Sequence, residues 1–525
     1  MSSAFFSLPD DVESLKALVL EQAERNAQLS ADNARYQARI LTLTEQLNLA
    51  LARRYAARSE KVARDQLRLF DEAESDIGSK GTAGEFDEDD AADTVEVAAH
   101  ARKKRGRRPL PDTLPRVEVI HELAEEELTC PHDGAVLKEI GETVCEQLDI
   151  VPATIQVIRH IRKKYACDCG QCIRTAAMAP QPIPKSLASP GLLAHVAVSK
   201  YQDALPLYRQ EQILQRIGVD IPRATLANWM IRAGELIQPL VNLLREQVLG
   251  YDIVQMDETT VQVLKEPGKR AQSKSYLWVQ RGGPPDRPTV LYDYDPSRGG
   301  VVPRRLLAGY TGYLQTDGYE GYNAVVGENA IVHVGCMAHA RRRFADAVKA
   351  QGKKKKAGIA PHGLALIQKL YRIEKQAKDL APEDRKAYRD IHARPVLDKL
   401  RDWLDTHRPQ VPPKTAIGEA LKYLDEQWDK LARYLDDGRL EIDNNRTENA
   451  IRPFVVGRKN WLFSDSVKGV AASANLYSLI ETAKVNGLEP YAYLRQIFTR
   501  LPTAETVDDI EVLLPFNIAN EQTPS

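Results

Sequence analysis

From about Val12 to Ala50 apolar residues recur at steps of four and three: Leu15, Val19, Leu29, Tyr36, Ile40, Leu43, Leu47 and Ala50, with Gln22, Asn26 and Asn33 in the same seam. This heptad spacing predicts a long helix that pairs with another copy or packs on its own protein, although a single amphipathic surface helix has the same pattern. Apolar residues then thin out, and residues 71–100 are acidic with few large side chains, the composition of a flexible linker. Pro190 to Pro239 patterns as all-helical. Within it Leu207 to Gly218, a short turn, and a second helix opening near Pro222 match a helix-turn-helix, and a plain helical hairpin matches nearly as well. Beyond Tyr251 the period changes to two. Short runs at 253–256, 276–279, 289–294, 311–316 and 331–334 read as strands, with helices near Val302 to Ala308 and His339 to Lys349. Three amphipathic helices follow, around Leu364 to Lys378, Pro382 to Thr406 and Ile417 to Tyr434.

The chain of 525 residues is too long for one core, and about 150 residues per domain suggests three or four units. Its fold class is multidomain, mixed α and α/β. The pattern divides the chain into a coiled-coil helix (1–70), an acidic linker with a basic end (71–110), a small cysteine-containing module (111–180) and a helical DNA-binding region (181–248). An α/β core follows in two parts (249–350 and 438–498), split by a helical insertion (351–437) and trailed by a tail (499–525). Apolar residues make up 43% and charged residues 28%, and the net charge of -1 conceals strong segregation: acid centres on Asp87 to Asp90, base on Arg102 to Arg108, Arg341 to Arg343 and Lys353 to Lys356. Local basic clusters in a neutral chain fit contacts to a polyanion. No apolar run reaches the roughly 18 residues of a membrane span, and no secretory layout opens the chain, so the expected location is the bacterial cytoplasm or nucleoid, with no membrane partner.

Five of the six cysteines fall between Cys130 and Cys172, and clustering of this kind in a reducing compartment points to metal. Cys130-Pro-His132-Asp133 and Cys167-Asp-Cys169-Gly-Gln-Cys172 form two knuckles of a structural Zn²⁺ site. The expected ligands are Cys130, Asp133, Cys169 and Cys172, with His132, Cys145 or Cys167 as substitutes; a metal-free cysteine cluster is the other reading. Cys336 stands apart and reads as a buried apolar residue. Ahead of the knuckles, Arg105, Arg107 and Arg108 sit in an Arg-Gly-Arg stretch that resembles an AT-hook, whose arginines enter a minor groove, or a solvated basic linker. Arg223 and Asn228 on the second helix of the helix-turn-helix are the residues that would face DNA.

Asp257 and Asp317 each end an apolar run, and Glu448 stands alone among amides and arginines in Asp443-Asn-Asn-Arg-Thr-Glu448 to Phe463, which patterns as helix. Three strands, a helix, a strand ending in Asp, a helix and another strand is the order of the RNase H-like fold, with one Asp in its first strand and another ending its fourth. Phosphodiester chemistry needs a deprotonated nucleophile and a neutralised leaving oxygen, which two Mg²⁺ ions about 3.5 to 4 Å apart supply when carboxylates hold them. Asp257 would bridge both ions, Asp317 hold one and Glu448 the other, with Mn²⁺ able to substitute. Sixty residues separate the aspartates and 131 separate Asp317 from Glu448, which leaves room for the helical insertion. Around Glu448, His339, Arg342, Asn445 and Arg452 are candidates to position it or meet the scissile strand. Gly457 to Trp461 reads as a loop in which Arg458 and Lys459 bind phosphate and Trp461 stacks on a displaced base or is buried. Asp252, Glu258, Asp293 and Glu320 are taken as bystanders.

Met256-Asp-Glu-Thr-Thr260, Gln315-Thr-Asp-Gly-Tyr-Glu-Gly-Tyr322, Gly335-Cys-Met-Ala-His-Ala-Arg-Arg-Arg-Phe344 and the segment from Asp443 to Phe463 resemble the signatures of DDE transposases of the insertion-sequence-66 family. The resemblance covers nearly the whole chain. It implies a DNA transposase with Asp257, Asp317 and Glu448 as catalytic triad and double-stranded DNA (element ends and target) as partner, to which the heptads add a homo-oligomer joined through the N-terminal helix; such elements commonly encode accessory proteins, and whether this one needs them is left open. The family's finger begins Cys-Pro-x-Cys, and Asp133 stands where its second cysteine belongs. A non-catalytic DNA-binding regulator and a structure-specific nuclease on the same fold are the competing functions.

Overall fold

The computed structural model describes residues 11–54, 155–166, 173–351 and 358–522. The chain forms two compact units, one of residues 1–81 with 179–525 and one of residues 82–178. In the second unit strands β1 (Lys164–Ala166) and β2 (Ile173–Thr175) pair antiparallel. Of the strand expected over 154–165 only the end enters β1; residues 155–163 join no ladder, and Val157 and Ile161 are exposed. Arg105, Arg107 and Arg108, and Cys130, His132, Asp133, Cys145, Cys167, Cys169 and Cys172, lie outside the described residues.

The first unit opens with α1 (Val12–Arg54), whose seam residues Val19, Leu29, Ile40 and Leu47 face solvent. Its far end is tied down. Buried Glu45 accepts the Ala416 N–H at 2.8 Å, and Asn48 Nδ2 donates to the Ala350 carbonyl at 2.9 Å. Four helices follow: α2 (Pro190–Tyr201), α3 (Leu207–Arg216), α4 (Arg223–Leu236) and α5 (Gln238–Leu249). The expected helix-turn-helix is α3 and α4. Glu211 of α3 accepts the Arg223 N–H at 2.8 Å, which satisfies an otherwise orphan donor at the start of α4. α4 buries Leu226, Trp229 and Met230 and leaves Arg223 and Asn228 exposed.

Next come β3 (Ile253–Lys265), β4 (Lys274–Gly282), β5 (Thr289–Asp295), α6 (Val301–Leu306), β6 (Gly312–Gln315), α7 (Asn323–Glu328), β7 (Ile331–Val334) and α8 (Met337–Ala350). The sheet runs β5-β4-β3-β6-β7, with β3, β4 and β5 antiparallel and β3, β6 and β7 parallel. β3 does not stop at Asp257. The β-favouring run from Thr259 to Val263 carries it on, paired with β4 as far as Gln262 opposite Lys274.

The insertion holds α9 (Ile359–Ala377), α10 (Pro382–His392), α11 (Arg394–His407), α12 (Ala416–Glu426) and α13 (Trp428–Ala432). The single helix expected over Pro382 to Thr406 is therefore two. Pro395 has no N–H to give Ile391, so α10 ends and α11 starts there. Arg389, 1% exposed, binds Glu374 and the carbonyls of Tyr434, Asp437 and Leu440, and so fastens the insertion to the approach to the next helix.

That helix is α14 (Asn445–Trp461), followed by β8 (Ser464–Ser466), which pairs with the end of β3, and by α15 (Val467–Val485), α16 (Pro490–Arg500), α17 (Val507–Glu511) and α18 (Pro515–Gln522). α15 guards edge strand β5: Ser478 Oγ and Thr482 Oγ1 accept the Tyr292 and Val290 N–H groups at 2.8 and 3.1 Å. One apolar core runs through α2 to α5, the sheet, α14, α15 and α16, and a second fills the space between α8 and the insertion.

Candidate metal centre

Asp257 lies on β3, Asp317 just beyond β6 and Glu448 in the first turn of α14, and all three are half-buried. Register brings the aspartates together. Gln255 pairs with Gln315 across β3 and β6, so two residues further on Asp257 and Asp317 leave neighbouring parallel strands side by side. Burial drives the Asp257 carboxyl well above its ordinary range, and the negative charges of Glu258, Asp317 and Glu448 push it further. Carboxylates from three distant stretches of chain thus share one field.

A buried polar relay fixes this convergence. Gln255 Nε2 donates to Gln315 Oε1 at 2.8 Å, Gln315 Nε2 donates to the Glu441 carbonyl at 2.7 Å, and Thr447 Oγ1 donates to Gln255 Oε1 at 2.9 Å. Each member sits one or two residues before a carboxylate. Alternation on a strand puts Gln255 on the face of Asp257, and Thr447 adjoins Glu448. Sequence reasoning passed over these glutamines, although the repeated Gln-x-Asp of 255–257 and 315–317 was a signal.

Glu258 is no bystander. Its side chain is 2% exposed, bound by Arg298 Nη2 at 2.6 Å and by Tyr322 Oη at 2.8 Å. Arg298 also lies 4.0 Å from the Tyr319 ring centroid, and the Tyr319 N–H donates to Asp317 Oδ1 at 2.9 Å. These contacts brace the strand carrying Asp257 against the loop carrying Asp317. In that loop a Cβ on Gly318 would stand 2.8 Å from the ring of Tyr423, so only glycine lets α12 pack so close to Asp317.

Glu448 turns toward α8. His339 Nε2 is 3.9 Å from Glu448 Oε1 and Arg342 Nη2 is 3.7 Å from Oε2. Burial lowers the His339 pKa, and Glu448 works against that shift. Glu448 Oε1 is buried without a hydrogen-bond partner. At the start of α14 the Asp443 carboxylate accepts the Asn445 N–H at 3.2 Å, Asn445 Nδ2 at 3.1 Å and Tyr371 Oη at 2.9 Å, so Asn445 is engaged within the protein. Burial lifts Asp443 to about 6.

The segment from Gly457 to Trp461, expected as a loop, is the last turn and a half of α14. Gly457 is there for close approach: a Cβ would come within 2.9 Å of Tyr477 Oη. Arg458 donates to Thr260 Oγ1 at 3.0 Å and to the Thr260 carbonyl, which ties α14 to β3 and removes it from the free phosphate-binding set. Trp461 packs edge-on against Phe454 at 5.4 Å, half-buried, rather than standing clear to stack on a base. Lys459 is exposed, and Arg452 is half-buried one turn beyond Glu448.

Comparison with known proteins places the chain among transposases. The Transposase IS66 family profile matches residues 185–472, the IS66 C-terminal element residues 478–516, the zinc-finger binding domain of transposase IS66 residues 127–170, and the Transposase C of IS166 homeodomain residues 42–119. The chain belongs to the IS66 transposase family. Similar proteins in Sinorhizobium fredii include the uncharacterized proteins y4jD, 33% identical over 99% of both chains, y4qI, 33% identical over 97% of both, and y4hP, 31% identical over 85% of this chain and 83% of its own. The finger match takes in Cys130, His132, Asp133, Cys145, Cys167 and Cys169 and stops short of Cys172. Among the described residues no helix is long and apolar enough to cross a membrane.

Proposed function

We propose that this transposase binds the ends of its own mobile element, cuts there to free a 3′-hydroxyl and joins that end to target DNA, with Asp257, Asp317 and Glu448 holding two Mg²⁺ ions. The observation that carries this is convergence: parallel pairing of Gln255 with Gln315 brings the Asp317 end of β6 beside Asp257, and Asp257, raised chiefly by burial, feels the charges of Glu258, Asp317 and Glu448. Negative charge gathered around a half-buried carboxylate is what a pair of hard dications relieves, and Glu448 Oε1, which has no hydrogen-bond partner, has a lone pair to offer. The strand order and directions, with one aspartate in the first strand of the sheet and another just past the fourth, support an RNase H-like core spanning 249–350 and 438–498 around the insertion at 351–437.

Bound magnesium would lower the pKa of the attacking water or 3′-hydroxyl and neutralise the leaving oxygen. The chain's own residues set the geometry. The Gln255–Gln315–Thr447 relay holds three backbones in register, Arg298 and Tyr322 keep Glu258 from competing for the ions, and His339 and Arg342 flank Glu448 where a scissile phosphate would lie. Exposed Arg223 and Asn228 on α4 read the element ends, and the finger and basic stretch add DNA contacts. The solvent-facing seam of α1 joins two copies.

The test uses purified full-length protein, Mg²⁺ and labelled element ends. Asp257→Asn and Glu448→Gln should abolish release of the 3′-hydroxyl while end binding persists, and undiminished cutting by either variant refutes the assignment. Cutting without joining would favour a structure-specific nuclease. Binding without cutting by the wild type would favour a regulator.

A further inference from the structure

Cys336 stands at the amino end of α8, its Sγ accepting the Asn444 N–H at 3.5 Å, and His339 stands one turn in, a Cys-x-x-His step that faces Glu448 across the interface with α14. One donor atom from each of the three lies within 4.8 Å of the others, and they are the one group of three ligand-type side chains this close among the described residues. His339 Nε2 and Glu448 Oε1 are 3.9 Å apart. Ligands bound at about 2.0–2.1 Å to a tetrahedral ion stand about 3.4 Å from one another, so modest side-chain rotations complete the set. Glu448 Oε1 and His339 Nδ1 are both buried without hydrogen-bond partners. Mg²⁺ selects oxygen and would take neither the sulfur nor the imidazole as a ligand; thiolate with imidazole selects softer ions.

We propose that Cys336, His339 and Glu448 form a second cation site, one that takes Zn²⁺ or another thiophilic divalent ion and leaves its fourth position to water or a phosphate oxygen. Binding exchanges the thiol proton for the metal: the S–H bond breaks, the proton leaves to solvent and the thiolate pair goes to the ion. The consequence for cleavage rests on the reading of Glu448 as a magnesium ligand. An ion held here draws Glu448 away from Asp257 and Asp317 and acts as a brake.

Cobalt(II) titration of the full chain tests the site, read by thiolate-to-cobalt charge-transfer absorption in the near ultraviolet. Wild type and Cys336→Ser are run in parallel, so that any bands from the finger cysteines cancel in the difference. The wild type should bind one more cobalt equivalent than Cys336→Ser, zinc should displace it and magnesium should not. His339→Ala and Glu448→Gln, which keep the thiol, should each weaken the extra band's binding at least tenfold, and they carry the test if Cys336→Ser fails to fold. Superimposable wild-type and Cys336→Ser titrations, or an extra band indifferent to both other variants, would overturn the proposal. Cleavage is scored in the same preparations: no magnesium-dependent cutting beside an intact cobalt difference would reject the catalytic reading and leave this site standing.

Discussion

Replacing Gln255 by leucine keeps the bulk of a side chain that is 6% exposed and removes every polar atom of the relay's centre. Thr447 Oγ1 loses its acceptor at 2.9 Å and Gln315 Oε1 its donor at 2.8 Å, and both residues are fully buried. A stranded buried polar group costs about 1–3 kcal/mol, so two cost about 2–6 kcal/mol, less about 1 kcal/mol regained by the apolar side chain. A net loss of about 3 kcal/mol should lower the melting midpoint by several degrees. The sharper consequence is geometric. With Thr447 released, Glu448 drifts relative to Asp257, and displacement of about 1 Å at a reacting centre can lower the rate about 100-fold. The assay is cleavage of labelled element ends against Mg²⁺ concentration: the half-saturating concentration should rise at least tenfold, with a fall in maximal rate of about 100-fold. Leu240→Ala is the control. Leu240 is fully buried in the same apolar core but outside the relay, and its truncation costs a comparable 2–5 kcal/mol or so. Equal magnesium shifts in the two variants, or none in Gln255→Leu, would refute the reasoning.

Gly318→Ala places a Cβ 2.8 Å from the Tyr423 ring, so either that ring or the Asp317 loop must shift; where the loop gives, magnesium affinity should fall about tenfold with a stability loss of about 1–3 kcal/mol, checked by metal titration and melting. Asp443, with a folded pKa of about 6 against an ordinary 3.8, binds its proton more tightly when folded, so its charge destabilises above pH 6, by about 3 kcal/mol, and this burden disappears as pH falls toward 3.8. Asp443→Asn should therefore melt with the wild type near pH 4 and progressively above it toward pH 7.5, and a difference that is flat or shrinks with pH would contradict this. Arg223→Ala with Asn228→Ala should weaken binding of element ends by about 2–4 kcal/mol in a salt-matched shift assay and leave the melting midpoint unchanged, since both side chains are exposed.

Much of the site was legible because its parts are local. Strand periodicity set Asp257 and Asp317 on the right elements, although β3 runs on past Asp257, and the helical pattern from Asp443 placed Glu448 in a first turn. Where local signals compete with packing, the reading slipped. Gly457 reads as a breaker by composition, yet its lack of a Cβ serves contact with Tyr477 and the helix runs on to Trp461. Glu258 looked idle because Arg298 and Tyr322, its partners, lie 40 and 64 residues away in sequence. Cys336 was rightly read as buried, but nothing in its neighbours announces that Glu448, more than a hundred residues downstream, comes to rest beside it.

The amino-acid sequence by itself determined most of the elements and the family and nominated the three carboxylates, because propensity, hydrophobic period and motif are properties of short stretches. Only the tertiary structure decided which faces meet: the parallel register that sets Gln255 against Gln315, the α8 surface that Glu448 turns to, and the exposed seam of α1. Those depend on strand pairing and core packing between segments far apart in the chain, where a one-residue slip would send every side chain to the opposite face.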